Sequence, residues 1–286
     1  MASTSKKVAI VTGAASGMGE ALATHFATRG WNVACVDVQR EAGEKLAASL
    51  GDNSAFFYAN VADYESQATV FQAVYNKWGR IDALLANAGI VDKSSIYILD
   101  WRGKEGIPPA PNLLCTDVDY KGVVYGTQLA IHFMRKNPTP GGRIIATASV
   151  AGVYQHPTYP EYNGAKAAVI NFIRGIAPVL KLKENIHINT VLPGIVPTKI
   201  IPQAMLDAVA PEHLTPVSTI VAAYEDLLRE DNELNGEAVE CSVEERIVVP
   251  QTEFVNGAAS KRAITAWEPL FKAFHGEVSG LEDAIP

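Results

Sequence analysis

Short runs of valine, isoleucine and alanine alternate along this chain with longer segments whose apolar residues recur every three or four positions. The runs are "KVAIVTG", "NVACVDV", "SAFFYANV", "IDALLANAG", "GRIIATAS" and "HINTVLPG"; the segments between them include "GEALATHFATRG" and "SQATVFQAVYNKWG". Strands buried on both faces read as continuous apolar runs, whereas a helix lying on a sheet shows one apolar stripe. The alternation therefore predicts an α/β architecture, a doubly wound parallel sheet with helices on both faces and a ligand site at the carboxyl ends of its strands. Two stretches break the pattern. Residues 93–116, "KSSIYILDWRGKEGIPPAPNLLCT", hold three prolines and two glycines and read as a long loop. After a closing strand at "RIVVP", residues 251–286 carry the apolar-spaced "AITAWEPLFKAF", a short packed helix limited by Pro269. The expected layout is one domain over 1–250, with a substrate loop at 195–216, and a C-terminal extension, 251–286, packed on that domain.

Composition narrows the function classes. With 286 residues, 48% hydrophobic and 19% charged, the chain can bury a large core. A formal net charge of −7 argues against a nucleic-acid partner. Cys35, Cys115 and Cys241 lie far apart without C-x-x-C spacing, so neither a disulfide framework nor a zinc site is expected, and the histidines show no metal spacing. Only four apolar residues, "VAIV", follow "MASTSKK" before polar positions return, too few for a signal peptide or a membrane span. The expectation is a cytoplasmic protein acting on a small molecule, with no metal and no membrane partner.

The first strand runs into "TGAASGMGEALA", where Gly13, Gly17 and Gly19 precede and open a helix starting near Met18. Glycines let a backbone turn sharply and approach a ligand, and a helix start presents unpaired N–H groups to a pyrophosphate. The second strand ends in Asp37, where an acid bonds a ribose 2′-hydroxyl and repels a 2′-phosphate. NAD is therefore expected over NADP. Further along, Tyr162 and Lys166 are four apart at the start of a helix, which stacks the ammonium near the phenol. A phenol titrates near ~10 in water, and a nearby fixed cation lowers that value.

Taken together these residues resemble the short-chain dehydrogenase/reductase family. "TGAASGMG" matches its glycine element, Asn87, Ala88 and Gly89 its N-A-G element, and "YNGAK" its Y-x-x-x-K element; Ser149 stands thirteen residues before Tyr162, and "PGIVPT" spans Pro193 to Thr198. The closing region is similar to hydroxyprostaglandin dehydrogenase-type members. The resemblance implies a Rossmann-type fold and an NAD(H)-dependent oxidoreductase interconverting a secondary alcohol and its ketone. It implies cofactor contacts from Gly13, Ser16, Gly17, Met18, Gly19, Asp37, Asn60, Val61, Asn87, Ala88, Gly89, Tyr162, Lys166, Pro193, Gly194, Val196 and Thr198. In the implied relay Tyr162 is the acid or base, Ser149 hydrogen-bonds the substrate oxygen, and Lys166 holds the nicotinamide ribose and lowers the phenol. It also implies a homodimer or homotetramer, pairing helices near 112–136 and 161–182.

Three positions depart from the family. Asp119 replaces an asparagine whose backbone carbonyl commonly holds a water on the lysine side of the relay, so Asp119 joins the candidate catalytic residues as one that preserves the relay while adding a charge. Ala86 replaces an asparagine before the N-A-G element, and Asn60 stands where an aspartate meets the adenine. Tyr159 and His156 are expected to line the substrate pocket, while Trp101 either caps the substrate or anchors its loop. The apolar "GIVPTKIIPQAMLDAVAPEHL" has no arginine cluster for a phosphate or carboxylate, which favours a largely apolar substrate. Two other readings stay open: a family-derived enzyme catalysing a non-redox cyclisation, isomerisation or dehydration, and a cofactor-binding protein without turnover.

Overall fold

The computed structural model describes residues 6–286. The first half consists of β1 (Val8–Thr12), α1 (Gly17–Thr28), β2 (Asn32–Asp37), α2 (Arg40–Leu50), β3 (Ser54–Tyr58), α3 (Tyr64–Trp78) and β4 (Ala83–Ala86). After a long connection come α4 (Leu114–Thr116), a π turn (Asp117–Lys121), α5 (Gly122–Met134), β5 (Gly142–Thr147), α6 (Pro160–Glu184) and β6 (Ile186–Pro193). The chain closes with α7 (Gln203–Ala208), α8 (Val217–Leu228), β7 (Ala238–Ser242), β8 (Glu245–Val248), α9 (Gly257–Ile264) and α10 (Glu268–His275).

The strands form one sheet in the order β3-β2-β1-β4-β5-β6-β7-β8, parallel except where β8 pairs antiparallel with β7. Every residue of β1 and of β4 is buried, as continuous apolar runs require when helices cover both faces. Successive side chains alternate between those faces. Val8 and Ile10 join the core under α3, α5 and α6, while Ala9 and Val11 join the core under α1 and α8. The chain reverses its winding between β1 and β4, which opens a crevice at their carboxyl ends.

Local chemistry sets the element ends. Asp63 caps α3 by accepting from the Glu65 and Ser66 N–H groups at 2.9 and 3.2 Å, and Gly79 ends that helix with φ 73°. Pro269 sits in the first turn of α10, where its missing N–H costs nothing, so the tail forms two short helices rather than one. Glu277 of the tail meets Lys183 of α6 at 3.4 Å. Two further details differ from expectation. The strand foreseen at "RIVVP" is the outer arm of a β7–β8 hairpin whose inner arm, "AVECS", carries the parallel pairing to β6. The helix foreseen over 112–136 is interrupted by the π turn. Among the described residues no helix is long and apolar enough to cross a membrane.

Candidate active site

A cleft of about 500 Å³ lies along the carboxyl ends of β1, β2, β4, β5 and β6. At one end the loop after β1 holds Gly13 and Gly17 at φ 68° and 57°, conformations that a side chain strains. A Cβ on Gly13 would lie 2.9 Å from the Ala88 Cα, and one on Gly19 would collide with the Gly13 carbonyl oxygen. The loop is pinned to the N-A-G element by Thr12, whose hydroxyl accepts from the Asn87 and Ala88 N–H groups at 3.0 and 3.1 Å. The Asn87 amide in turn donates to the Thr12 carbonyl at 3.1 Å. Asp37 is buried and aimed: its carboxylate accepts from the Ala15 and Gln39 N–H groups, both at 2.9 Å. Val38, Tyr58, Asn60 and Val61 line the wall beyond it.

The other end gathers polar groups from four elements. Ser149, just past β5, accepts from the Ala151 N–H at 3.1 Å through its hydroxyl oxygen, which leaves its own hydrogen to donate. Tyr162 lies in the first turn of α6, whose leading Glu161 and Tyr162 N–H groups are both accepted by Asp92, at 3.0 and 2.8 Å. One turn on, the Lys166 ammonium sits 5.4 Å from the Tyr162 ring centroid. It donates to the Thr147 carbonyl at 2.8 Å and pairs with the Asp119 carboxylate at 3.0 Å. The pair is almost dry, with Lys166 3% and Asp119 0% exposed. Burial works against the Lys166 charge, but the Asp119 carboxylate and Tyr162 outweigh it and hold the ammonium above its ordinary value. Burial pushes the Asp119 carboxyl up, against the pull of Lys166 and of the Ile90 N–H.

Of the residues expected at the site, Ser149, Tyr162, Lys166, Asp119, Asp37 and the expected cofactor contacts other than Gly19 line this cleft together. Gly19 stands behind the loop as a packing glycine. Tyr159 and His156 are not among the lining residues; their rings pack on each other at 5.1 Å, and the His156 Nδ1 accepts from the Thr158 N–H at 3.2 Å. Trp101 is likewise absent from the lining and carries Lys104 4.8 Å above its ring. The sequence reading missed Asp92, Thr147, Lys93, Leu114 and Val118. Asp92 follows the N-A-G element by three residues, yet its partners lie some seventy residues away, so no local spacing announces it.

The family model for the short chain dehydrogenase matches residues 7–207. A short-chain dehydrogenase/reductase of Penicillium rubens, prx6, is 54% identical over 99% of each chain. The mouse 15-hydroxyprostaglandin dehydrogenase [NAD(+)] is 33% identical over 68% of this chain and 69% of its own. Among solved structures, a 3-ketoacyl-(acyl-carrier-protein) reductase from Brucella melitensis complexed with NADH superposes with a TM-score of 0.73 at 24% identity, covering 84% of this chain and 98% of that one. The chain belongs to the short-chain dehydrogenase/reductase family of oxidoreductases, with a Rossmann-type fold.

Proposed function

We propose that this protein is an NAD(H)-dependent dehydrogenase or ketoreductase acting on a largely apolar secondary alcohol or the corresponding ketone. The observation that carries the reading is the convergence of Ser149, Tyr162 and Lys166 on one cleft whose far end holds the glycine loop and Asp37. The cleft fits a nicotinamide dinucleotide: the glycine loop leaves room where side chains would collide, and the start of α1 offers N–H groups to a pyrophosphate. Asp37 would hold the adenosine ribose, Asn60 and Val61 the adenine, Asn87 to Gly89 and Lys166 the nicotinamide half, and Pro193, Gly194, Val196 and Thr198 the nicotinamide itself. Bound there, the dinucleotide supplies the hydride acceptor or donor.

The protein's part is proton handling and orientation. In oxidation the Tyr162 phenolate accepts the hydroxyl proton while Ser149 donates to the substrate oxygen; in reduction the Tyr162 phenol gives its proton to the carbonyl oxygen. Ile90, Leu114, Val118, Ile200 and Ile201 are among the residues lining the cleft and support an apolar substrate. Screening lipophilic secondary alcohols and ketones by reduced-nicotinamide absorbance tests the reading; a panel in which no member is turned over with either dinucleotide defeats it.

NAD is expected to bind more tightly than NADP, because the buried Asp37 carboxylate would face the extra phosphate at close range. Asp37→Ala should narrow the gap by about tenfold, roughly 1.4 kcal/mol, in paired titrations of the two dinucleotides. Tighter NADP binding by the native protein would remove the assignment. The mouse relative carries NAD(+) in its name, which points the same way.

We also read residues 1–250 as the catalytic unit and 251–286 as an extension on it, and expect a homodimer or homotetramer built on α5 and α6. These helices carry the half-buried Val124, Ile131, Phe172 and Ile176; the last three pack partly on the core, and a two-fold partner would cover the apolar surface they leave exposed. Light scattering after size-exclusion chromatography checks it: a mass near the 30.7 kDa of one chain at micromolar concentration would rule the dimer out.

A further inference from the structure

The π turn separates two kinds of charge. Asp117 and Lys121 pair with each other on its outer side at 2.7 Å, whereas Asp119 turns inward and is fully buried. One oxygen of Asp119 accepts from the Ile90 N–H at 2.8 Å, and the other, which has no hydrogen-bond partner among the described residues, lies 3.0 Å from the Lys166 nitrogen as an ion pair. Gly89 makes room for the pair, since a Cβ there would lie 3.0 Å from the Asp119 oxygen and 3.2 Å from the Lys166 nitrogen. An ammonium has three donors. On Lys166 one of them goes to the Thr147 carbonyl, while the Asp119 carboxylate faces the ammonium as an ion pair at 3.0 Å.

We propose that Asp119 is a positioning residue whose carboxylate clamps Lys166 and offsets the charge that the ammonium presents to the Tyr162 phenol. The proposal rests on the reading of Tyr162 as the acid–base group. The physical reason is direct: a cation near a phenol favours the phenolate, and an anion paired with that cation takes part of the effect away. The ionisable groups around the pair are Lys166, Tyr162 and Glu161 from α6, Cys115 from α4 and Asp92 from the loop after β4. Glu161 is committed to the Thr116 N–H and hydroxyl at 2.9 and 3.0 Å, and Asp92 to the start of α6, while burial and Asp119 hold the Cys115 thiol well above its ordinary range. Asp119 is thus the carboxylate in direct contact with Lys166.

The test compares the native protein with Asp119→Asn and the charge-retaining Asp119→Glu. Near-ultraviolet phenolate absorbance, referenced to the Tyr162→Phe version of each, follows the Tyr162 titration with and without NAD and requires no substrate. Asp119→Asn should lower the midpoint by about one pH unit, which is about tenfold more phenolate on the rising limb, and Asp119→Glu should stay near the native value. The rising limb of kcat/KM for alcohol oxidation should move with the midpoint. A role confined to packing would leave both unmoved. Should the asparagine variant fail to fold, Asp119→Ser, smaller and neutral, carries the same expectation. An unchanged or raised midpoint in a folded neutral variant overturns the proposal even if the enzyme oxidises alcohols. A lowered midpoint with no alcohol or ketone turned over upholds the clamp and defeats the redox reading instead.

Discussion

Tyr162→Phe should lower kcat by roughly 10²- to 10⁴-fold, the range that one positioned acid or base contributes. Binding of NAD should remain close to native. The two expectations separate because the substitution removes a single hydroxyl. The Tyr162 backbone N–H, accepted by Asp92 at 2.8 Å, still anchors the start of α6, and the Lys166 ammonium still reaches the Thr147 carbonyl at 2.8 Å. The ring itself also stays in place. Steady-state kinetics on any substrate found in the alcohol and ketone screen, alongside a direct NAD titration, measure both. A phenylalanine variant that kept more than about a tenth of native kcat would require another acid or base, and the cleft offers Asp119 and Lys166 as the groups to examine next.

What could be read in the sequence divides along a physical line. Continuous runs such as "VAIVT" announce buried strands because both of their faces must be apolar, and the glycine loop announces itself because its φ values exclude most side chains. The Tyr162–Lys166 pair is legible because both residues ride on one helical turn. Contacts between distant segments leave no such trace. Asp92 caps α6, the Thr147 carbonyl receives Lys166, and Glu161 accepts from Thr116; each follows from how the sheet brings loops together. The inner arm of the closing hairpin was equally hidden, since "AVECS" mixes a glutamate and a serine into a short run whose parallel partner is β6. His156 and Tyr159 illustrate the converse. Their position between Ser149 and Tyr162 suggested a place in the pocket, but the turn before α6 directs their rings onto each other. Asp119 was visible as a departure from the family pattern, yet its contact with Lys166 depends on the π turn that carries it inward.

Lys166→Ala should be the more damaging substitution for the fold. It leaves the Asp119 carboxylate fully buried without its cation, and breaking a buried pair by removing one partner costs about 3–5 kcal/mol. Loss of NAD binding should accompany it under the proposed reading, in which Lys166 holds the nicotinamide ribose. The cost depends on pH in a defined direction. Burial already raises the Asp119 carboxyl in the folded state, and removal of the ammonium raises it further. A group raised on folding binds its proton more readily in the folded chain. Its contribution to stability is therefore full below its unfolded value and is lost as pH rises through the folded one. The deficit of Lys166→Ala relative to the native protein should thus be largest near neutrality and shrink on acidification, as Asp119 becomes neutral and the native protein gives up its own ion pair. Urea unfolding of both proteins at pH 7 and pH 5 measures it. The double variant Lys166→Ala with Asp119→Asn should recover part of the loss at pH 7, because the stranded charge is gone. A deficit equal at both pH values and unrelieved in the double variant would mean that Lys166 supports the fold through its packed methylene stem rather than through the buried pair.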